Sequence, residues 1–271
     1  MSVMPPARVV AEAFRRQMAT GRNRALVVAA RDADGSLVQC LIKVPGLMEA
    51  PRYPLDSLLE WLGAAFAREL KVTVPESYAV EITPAFASSV LAPAIREGLS
   101  RSVGVVYGCR FVEAVVPMTP AALPDALRHE AALVLGLDVF IHNLDRRATN
   151  PNLLQKTDAL IAIDHGDAFA FLIPQLLPAH SADEDPLRFV VLGHACTPSL
   201  RRWKRLDFSE VRERITSLTD SRFEAIRAAT PAEWLEGDGA AGLNLVLETL
   251  RRRRDAIERW LPEVEAALRS S

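Results

Sequence analysis

The stretch VFIHNLDRRATNPNLL, residues 139–154, joins an apolar run to a strongly polar loop. The apolar run ends at Leu144, and after five more residues the chain reaches the turn Asn150-Pro151-Asn152. Two interpretations compete: a solvated turn between two buried segments, or a catalytic loop held at the mouth of a cleft. Asn-Pro is a common turn pair, so the loop alone does not decide between them.

Composition excludes several classes of protein before any site is considered. The chain has 271 residues, of which 49% are hydrophobic and 24% are charged, and its net charge is −2. These values are ordinary for a globular protein with room for two lobes and a substantial core. A net charge this close to zero gives no global indication of nucleic acid or an anionic membrane as a partner. Function must therefore come from local sites.

The cysteines and the N-terminus indicate the cellular compartment. Cys40, Cys109 and Cys196 are odd in number, far apart and outside any C-x-x-C pair, which favours reduced thiols over disulfides or a zinc site. The opening MSVMPPARVV lacks the continuous apolar region of a signal peptide. No stretch approaches the roughly 18 apolar residues that a membrane-spanning helix needs. We expect a cytoplasmic protein.

The arginine run at 251–254 resembles a basic patch for nucleic acid. However, Asp255 lies four residues after Arg251, and Glu258 lies four residues after Arg254, a spacing that pairs opposite charges along one helix. The pattern therefore predicts a solvated helix face with internal ion pairs, and no nucleic-acid site.

The first part of the chain has the patterns of strands with some helix. Residues 8–18 have apolar residues at helical spacing, which predicts a helix. Two apolar segments, 25–30 and 37–44, flank Asp32-Ala33-Asp34-Gly35 and predict a β-hairpin. Residues 56–72 predict a second helix, and the segments PESYAVEI and GVVYGCRFVEAVVP predict further strands.

From about Pro120 the pattern becomes mainly helical. The exceptions are 153–154 and 159–163, which predict two short strands around a polar tip. Because strands and helices are segregated along the chain, the sequence predicts an α+β fold and not an alternating parallel sheet.

Three polar residues have the order and spacing that phosphoryl transfer uses. Asp145 is followed by Asn150 after four intervening residues, and Asp164 begins the D-x-G sequence Asp164-His165-Gly166. In kinases an aspartate orients the acceptor hydroxyl, and an asparagine and a second aspartate bind magnesium. The two predicted strands between Asn150 and Asp164 would form a hairpin that brings these residues together.

The N-terminal part offers a lysine and a glutamate for the same chemistry. Kinases use a strand lysine on the nucleotide phosphates and a helix glutamate that holds it. Lys43 is the last residue but one of the apolar segment LVQCLIKV, and Glu60 lies in the next predicted helix without a basic residue three or four positions away. Gly63, Ala64 and Ala67 on the same helix face would let a strand approach closely. Taken singly, Lys43 is better explained as an edge-strand residue and Glu60 as part of a solvated face.

These residues carry a resemblance to a known family. The chain resembles the short bacterial HipA-like kinases, a branch of the protein-kinase-like superfamily close in motif style to the phosphatidylinositol kinases. The matching pair is DRxxxNPNLL with IDHGDAF. Supporting stretches are DADGSLVQCLIKVPG, LLEWLGAAFARELKVTVPESYAVEI, AATPAEWL and LETLRRRRDAI.

The resemblance implies a two-lobed protein-kinase-like fold, with a β-rich N-lobe at 1–111, a hinge at 112–116 and a mainly helical C-lobe at 117–271. It implies transfer of the γ-phosphoryl group of ATP to a hydroxyl, with protein Ser/Thr as the first candidate acceptor and Mg²⁺ as the cofactor. The residues that it implies are the catalytic base Asp145, the magnesium ligands Asn150 and Asp164, the phosphate-positioning pair Lys43 and Glu60, and the adenine-binding hinge residues Val112, Glu113 and Ala114.

The sequence departs from the family pattern at two places. Arg147 stands where relatives often have histidine, and the first hairpin has no G-x-G-x-x-G, so Gly21 or Gly35 would have to supply a phosphate loop. Two alternatives to a protein kinase therefore stay open. One is a kinase for small-molecule alcohols on the same scaffold, and the other is an inactive nucleotide-sensing scaffold.

Overall fold

The computed structural model describes residues 3–18, 24–49, 51–52, 55–113, 115–119, 123–157, 159–172, 186–203 and 206–269. Within the described residues a strand-rich N-terminal region precedes a helical C-terminal region, with about 48% helix and 20% strand, so the predicted α+β fold class is confirmed. The chain divides into two compact units. Unit 1 comprises Met1–Trp61, Pro75–Glu113 and Ile226–Ala241, and unit 2 comprises Leu62–Val74, Ala114–Ala225 and Gly242–Ser271. The boundaries at 111 and 117 stay a prediction.

Unit 1 is built on a closed five-stranded barrel in the order β1-β2-β3-β5-β4. All neighbouring strands are antiparallel except β1 and β4, which are parallel. The strands are β1 (Ala7–Gln17), β2 (Leu26–Asp32), β3 (Leu37–Ile42), β4 (Ser77–Ile82) and β5 (Gly104–Arg110). Closure leaves no open sheet edge, and the interior is filled by buried apolar side chains that include Leu26, Val28, Ile42, Val80 and Val106.

The predicted helix at 8–18 is wrong, because this segment is strand β1. Val9 and Ala11 are buried with strand alternation, but the register against β2 shifts between Ala11 and Ala13 and again between Phe14 and Arg16. Each bulge adds a residue and changes which side chains face the core. The two interruptions of the period of two produce the apolar spacing that looks helical in the sequence.

The predicted hairpin and the next helix are confirmed. β2 and β3 pair through the turn at Gly35, which has φ of +82°, a value that glycine adopts without steric cost. The helix α1 (Leu55–Glu69) follows a 3₁₀ turn, Pro45–Leu47. Two more helices, α2 (Pro84–Ser89) and α3 (Pro93–Ser100), lie between β4 and β5.

Unit 2 contains a three-stranded antiparallel sheet and most of the helices. The sheet consists of β6 (Val116–Pro117), β7 (Leu153–Gln155) and β8 (Leu160–Ala162), and its β7–β8 hairpin confirms the two short predicted strands. The helices from the middle of the chain onward are α4 (Arg128–Phe140), α5 (Pro186–Gly193), α6 (Thr197–Leu200), α7 (Ser209–Thr216), α8 (Asp220–Ala229), α9 (Gly239–Asp255) and α10 (Ile257–Arg269). None of the helices in the described ranges is long and apolar enough to cross a bilayer.

The arginine run of α9 is a solvated face only in part: Arg252 is exposed and pairs with Glu248 of the same helix, whereas the other three arginines contact α8 or α4. Arg251 forms an ion pair with Glu224 of α8, where the sequence predicted Asp255 as its partner. Arg253 Nε and Nη2 donate to the carbonyl oxygens of Phe140 (2.8 Å) and Val139 (2.6 Å) at the end of α4. A cation at this position satisfies terminal carbonyls and opposes the negative end of the helix dipole. Arg253 therefore supports the helix from which the loop at 141–152 departs.

Close packing in unit 2 fixes the D-x-G turn against α1. A Cβ atom built on Gly63 would lie 2.3 Å from Cβ of His165, so this position has no room for a side chain. The prediction that small residues on this helix face allow close approach is correct, but the approaching residue belongs to the turn after β8 and not to a strand.

We predict that Gly63→Ala destabilises the fold. Alanine favours helix over glycine by about 1 kcal/mol, but the clash with His165 costs about 1–3 kcal/mol in an unyielding core. The free energy of unfolding in urea should therefore fall. The matched control is Gly193→Ala at the end of α5, where the added methyl group meets no described atom within 4 Å apart from adjacent residues and the backbone of its own helix. Equal stability of the two variants would contradict this account of the packing.

Candidate active site

Lys43 and Glu60 form an ion pair in unit 1. Lys43 directly follows β3, and its Nζ contacts Oε1 of Glu60 on α1. The Lys43 side chain is 18% exposed and that of Glu60 is 5% exposed, so the pair is largely shielded from water. An ion pair in such a place holds both side chains in defined positions because each desolvated charge needs its partner. The structure thus brings together the two residues that the sequence pairs, while their role with a nucleotide stays a prediction.

The predicted hinge lies where β5 ends. Val112 and Glu113 follow that strand without regular structure, and Ala114 lies outside the described residues. The segment is held to β3 because Phe111 N donates to the carbonyl oxygen of Gln39 at 2.8 Å. Adenine binding by this segment stays a prediction.

The glycines considered for a phosphate loop receive no support. Gly21 lies outside the described residues, and the amide of Gly35 donates to the carbonyl oxygen of Asp32 at 3.1 Å. The side chain of Asp32 accepts the next amides of the turn, those of Asp34 and Ser36. These hydrogen bonds close the turn on itself.

In unit 2, Asp145 is held by hydrogen bonds to its side chain and to its backbone. Its Oδ2 accepts from Nδ2 of Asn150 and Nδ2 of Asn152, each at 2.9 Å. Its backbone amide donates to Oδ1 of Asn143 at 3.1 Å. The two side-chain amides fix the plane of the carboxylate and occupy one of its oxygens. The other oxygen, Oδ1, is then oriented by the same contacts.

The charges of Asp164 and Asp167 act on the pKa of Asp145. Burial raises the pKa of Asp145 above its ordinary value, and the negative charges of Asp164 and Asp167 raise that pKa further. The hydrogen bonds from the two asparagine amides act in the opposite direction without reversing the shift. The predicted base and the predicted metal residues therefore lie within electrostatic reach of one another.

Backbone geometry at this site departs from ordinary helix and strand values. His142, Asn152 and Asp164 have φ of +57°, +46° and +57°, in the left-handed region that disfavours most side chains. Asparagine, aspartate and histidine tolerate this region better than branched residues. The three positions are the points at which the chain turns into the loop, out of the loop, and into the D-x-G sequence.

Asn150 and Asp164 suit a magnesium ion that keeps other ligands. Because Nδ2 of Asn150 donates to Asp145, its Oδ1 is the atom that can face a cation. Magnesium prefers oxygen ligands and usually retains water and phosphate oxygens beside one or two protein groups. Within the described ranges, no three His, Cys, Asp or Glu residues form a group that could hold a metal ion by themselves. The amide and carboxylate oxygens fit an ion that arrives with a nucleotide.

Arg146 fastens the loop to the strand that leads to Asp164. Its Nε donates to Oδ2 of Asp138 at 2.5 Å, and its Nη1 donates to the carbonyl oxygens of Ile163 (3.2 Å) and Asn152. Burial by itself would raise the pKa of Asp138, but the charge of Arg146 and a hydrogen bond from His194 lower that pKa to about 2. Asp138 is therefore a buried carboxylate that stays ionised.

Sequence reasoning missed Asp138, Asn152 and His194, and gave Arg146 no role. Asp138 had a usable signal, because it is the one acidic residue in the apolar run AALVLGLDVFIHNL of a helix that is buried all round. At Asn152 the sequence indicates only a turn. His194 had no signal, since it lies 48 positions after Arg146 and meets it through the fold.

The residue types of this candidate site are those of a protein-kinase-like protein. They are a lysine–glutamate pair, a carboxylate held by two amides and a D-x-G aspartate, and they lie on an α+β fold. A family model described as HipA-like kinase matches residues 48–260. The chain belongs to the HipA-like kinase family, and it is accordingly a kinase-type phosphotransferase.

Two solved structures resemble the chain weakly. The Helicobacter pylori proinflammatory kinase CtkA has 12% identity and a TM-score of 0.42, over 96% of this chain and 97% of that one. A MAP kinase from Leishmania major has 12% identity and a TM-score of 0.33, over 95% of this chain and 81% of that one. A search of curated proteins finds no match.

We predict that Asp167→Asn lowers the pKa of Asp145. The substitution removes one of the negative charges that disfavour the ionised form, and it leaves the side-chain shape nearly unchanged. The carboxyl carbon of Asp145 can be titrated by NMR in metal-free protein. Asp164→Asn should lower the pKa more, since its charge has the larger effect. The exposed Asp207→Asn is the control, and an unchanged pKa in both site variants would contradict the electrostatic assignment.

Proposed function

We propose that the chain transfers the γ-phosphoryl group of ATP to an alcohol hydroxyl in the presence of Mg²⁺, with a protein serine or threonine as acceptor. The observation that carries this proposal is the carboxylate of Asp145, fixed by the amides of Asn150 and Asn152 beside Asp164. A carboxylate so placed orients the attacking hydroxyl and receives its proton, which is the one task that phosphoryl transfer assigns to a base.

The two asparagine amides determine which oxygen of Asp145 can act. Oδ2 already accepts two hydrogen bonds, so Oδ1 accepts the proton of the acceptor hydroxyl. The raised pKa of Asp145 makes the carboxylate a better proton acceptor than an exposed aspartate. Because the transition state is loose, the hydroxyl keeps its proton until late, and orientation is the larger contribution.

The remaining predicted residues would neutralise the negative charge of the nucleotide phosphates or bind the adenine. Lys43, held by Glu60, supplies a positive charge that is oriented before the nucleotide binds. Asn150 and Asp164 would hold Mg²⁺, which neutralises negative charge on the phosphate oxygens when it is bound. Val112 and Glu113, with Ala114, would offer backbone groups to adenine.

The deciding experiment measures transfer of labelled γ-phosphate from ATP with wild type and Asp145→Asn. The acceptors are the protein itself, a mixed peptide library with Ser, Thr or Tyr, and a panel of sugars and amino alcohols. Loss of a positioned base lowers the rate by about 10²- to 10⁴-fold, while binding of magnesium–ATP should persist. The exposed Asp207→Asn should keep the wild-type rate.

Each result leads to a different assignment. Labelled serine or threonine that disappears in Asp145→Asn supports the proposal. Labelling of small alcohols alone would make the chain a small-molecule kinase. Binding of magnesium–ATP without transfer to any acceptor would favour the nucleotide-sensing scaffold. A wild-type rate in Asp145→Asn would contradict the role of that residue.

We predict that Glu60→Gln weakens ATP binding without unfolding the barrel. The amide cannot neutralise Lys43, so the ammonium loses its fixed position and a charge-assisted hydrogen bond of about 1.5–3 kcal/mol. That loss corresponds to roughly 10- to 100-fold in the Kd for magnesium–ATP, measured by calorimetry. Glu97→Gln, which breaks an exposed pair with Arg101, is the matched control. Similar Kd values for both variants would contradict the role of the pair.

A further inference from the structure

A fully buried polar cluster lies directly behind the loop of unit 2. The side chains of Asp138, Arg146 and His194 have no exposed area. The carboxylate of Asp138 is at the centre: Oδ1 accepts from Nδ2 of Asn143 at 2.8 Å, and Oδ2 accepts from Arg146 and from Nε2 of His194 at 2.8 Å. Three donors from three places in the chain therefore converge on one buried carboxylate.

The hydrogen bonds of His194 determine which of its ring nitrogens carries the proton. The backbone amide of Cys196 donates to Nδ1 of His194 at 3.1 Å, so Nδ1 must be an acceptor. Nε2 therefore carries the hydrogen and donates to Asp138. Both ring nitrogens of His194 therefore have a hydrogen-bond partner, and the ring is held between the Asp138 carboxylate and the backbone amide of Cys196.

His194 also joins the loop through the main chain. It forms an isolated β-bridge with Arg147, and the amide of the next residue, Ala195, donates to the carbonyl oxygen of Arg146 at 3.0 Å. The segment that follows α5 is thus attached to the loop through its backbone and to Asp138 of α4 through the His194 side chain. This segment is not part of the predicted catalytic sequence.

The cluster determines the position of both ends of the candidate site. Asn143 and Arg146, which bind Asp138, flank Asp145 in the chain. Arg146 also reaches Ile163, the residue before Asp164. If the carboxylate of Asp138 rotated, it would release the contacts of Asn143 and Arg146 on either side of Asp145. The contact of Arg146 beside Asp164 would be released as well.

We propose that His194 is a positioning residue for phosphoryl transfer, which holds Asp138 in the orientation that keeps Arg146 on Asn152 and Ile163. His194 does not touch the reacting atoms. It acts by completing the set of donors around Asp138, so that the loop carrying Asp145 and the strand leading to Asp164 keep one relative geometry. The catalytic part of this inference rests on the proposed function, whereas the positioning part is a statement about the loop itself.

His194 is a better test than Asp138. Substituting Asp138 would leave the buried guanidinium of Arg146 without its counter-charge, and such variants commonly fail to fold. His194 can be replaced in steps. His194→Gln keeps an N–H donor that reaches Asp138, His194→Leu removes donor and acceptor at similar volume, and His194→Asn retains an amide that is too short to reach.

The experiment combines two measurements on the full chain. The first is amide hydrogen exchange of Arg147, Asn150 and Ile163, whose N–H groups donate within the loop and to Asn152. The second is the split between kcat and KM for ATP in the transfer assay. We expect His194→Leu to exchange at least about tenfold faster at these amides and to lose about 10- to 100-fold in kcat with KM little changed.

The controls separate positioning from general stability. His194→Gln should restore slow exchange and most of kcat, and exchange in the barrel strands β2 and β3 should be the same in all variants. The surface variant His129→Leu should behave as wild type, since that side chain is half exposed. If His194→Leu does not fold, His194→Asn takes its place with the same expectations.

Several outcomes would overturn the proposal or isolate it from the proposed function. Unchanged exchange in His194→Leu would overturn it, and so would faster exchange spread evenly through the helices of unit 2. A kcat loss that His194→Gln fails to restore would also overturn it. If exchange in His194→Leu is faster only in the loop, while the wild type transfers no phosphate to any acceptor, the positioning role is sustained and the proposed function is refuted.

Discussion

The ion pair between Asp138 and Arg146 is the interaction on which the geometry of the loop depends. Both side chains have no exposed area, and removing one partner of such a pair typically costs about 3–5 kcal/mol because the other charge remains buried. Replacing both partners by apolar residues is often neutral for stability, so stability alone gives little reason for a charged pair here. Apolar residues would not supply directional hydrogen bonds. The guanidinium carries donors in a fixed plane, and it uses them to join α4, Asn152 and Ile163.

The pKa values of two aspartates seven positions apart, Asp138 and Asp145, are shifted in opposite directions by their surroundings. Asp138 is surrounded by donors and a positive charge, so its pKa falls to about 2, whereas burial and two neighbouring carboxylates raise the pKa of Asp145. Ionised Asp138 therefore adds stability above its ordinary pKa, and that contribution is lost as the pH falls toward 2. Ionised Asp145 has the opposite sign and lowers stability as the pH rises through its ordinary value. Asp138 stabilises the fold as an anion, and the raised pKa of Asp145 suits the proton-accepting role that we propose for it.

The sequence predicted elements whose signals are local and missed those that depend on tertiary contacts. The β2–β3 hairpin, α1 and the β7–β8 hairpin follow from turn residues and periodicity over a few residues. Strand β1 was predicted as a helix because two bulges break its alternation, and a bulge is defined by the partner strand. Likewise, Asp145 and Asp164 were predicted from local spacing, and Lys43 and Glu60 from the elements that carry them; the structure pairs Lys43 with Glu60. His194 could not be found, since its role arises where the end of α5 meets the loop.

This distribution of predictable and unpredictable residues follows from the chemistry. Phosphoryl transfer requires little covalent work from the protein, so the residues that touch reactants are few and their types and order are constrained by charge and metal preference. Constraints on residue type and order can be recognised in the amino-acid sequence alone. The residues that position them need only converge on the right atoms, and any segment that reaches those atoms can supply a donor. In this chain Asn143 supplies one from two positions before Asp145, and His194 supplies another from beyond α5. A variant at such a residue changes the positions of the reacting groups but removes none of them. A change in kcat at constant ATP affinity therefore distinguishes a positioning residue from a binding residue.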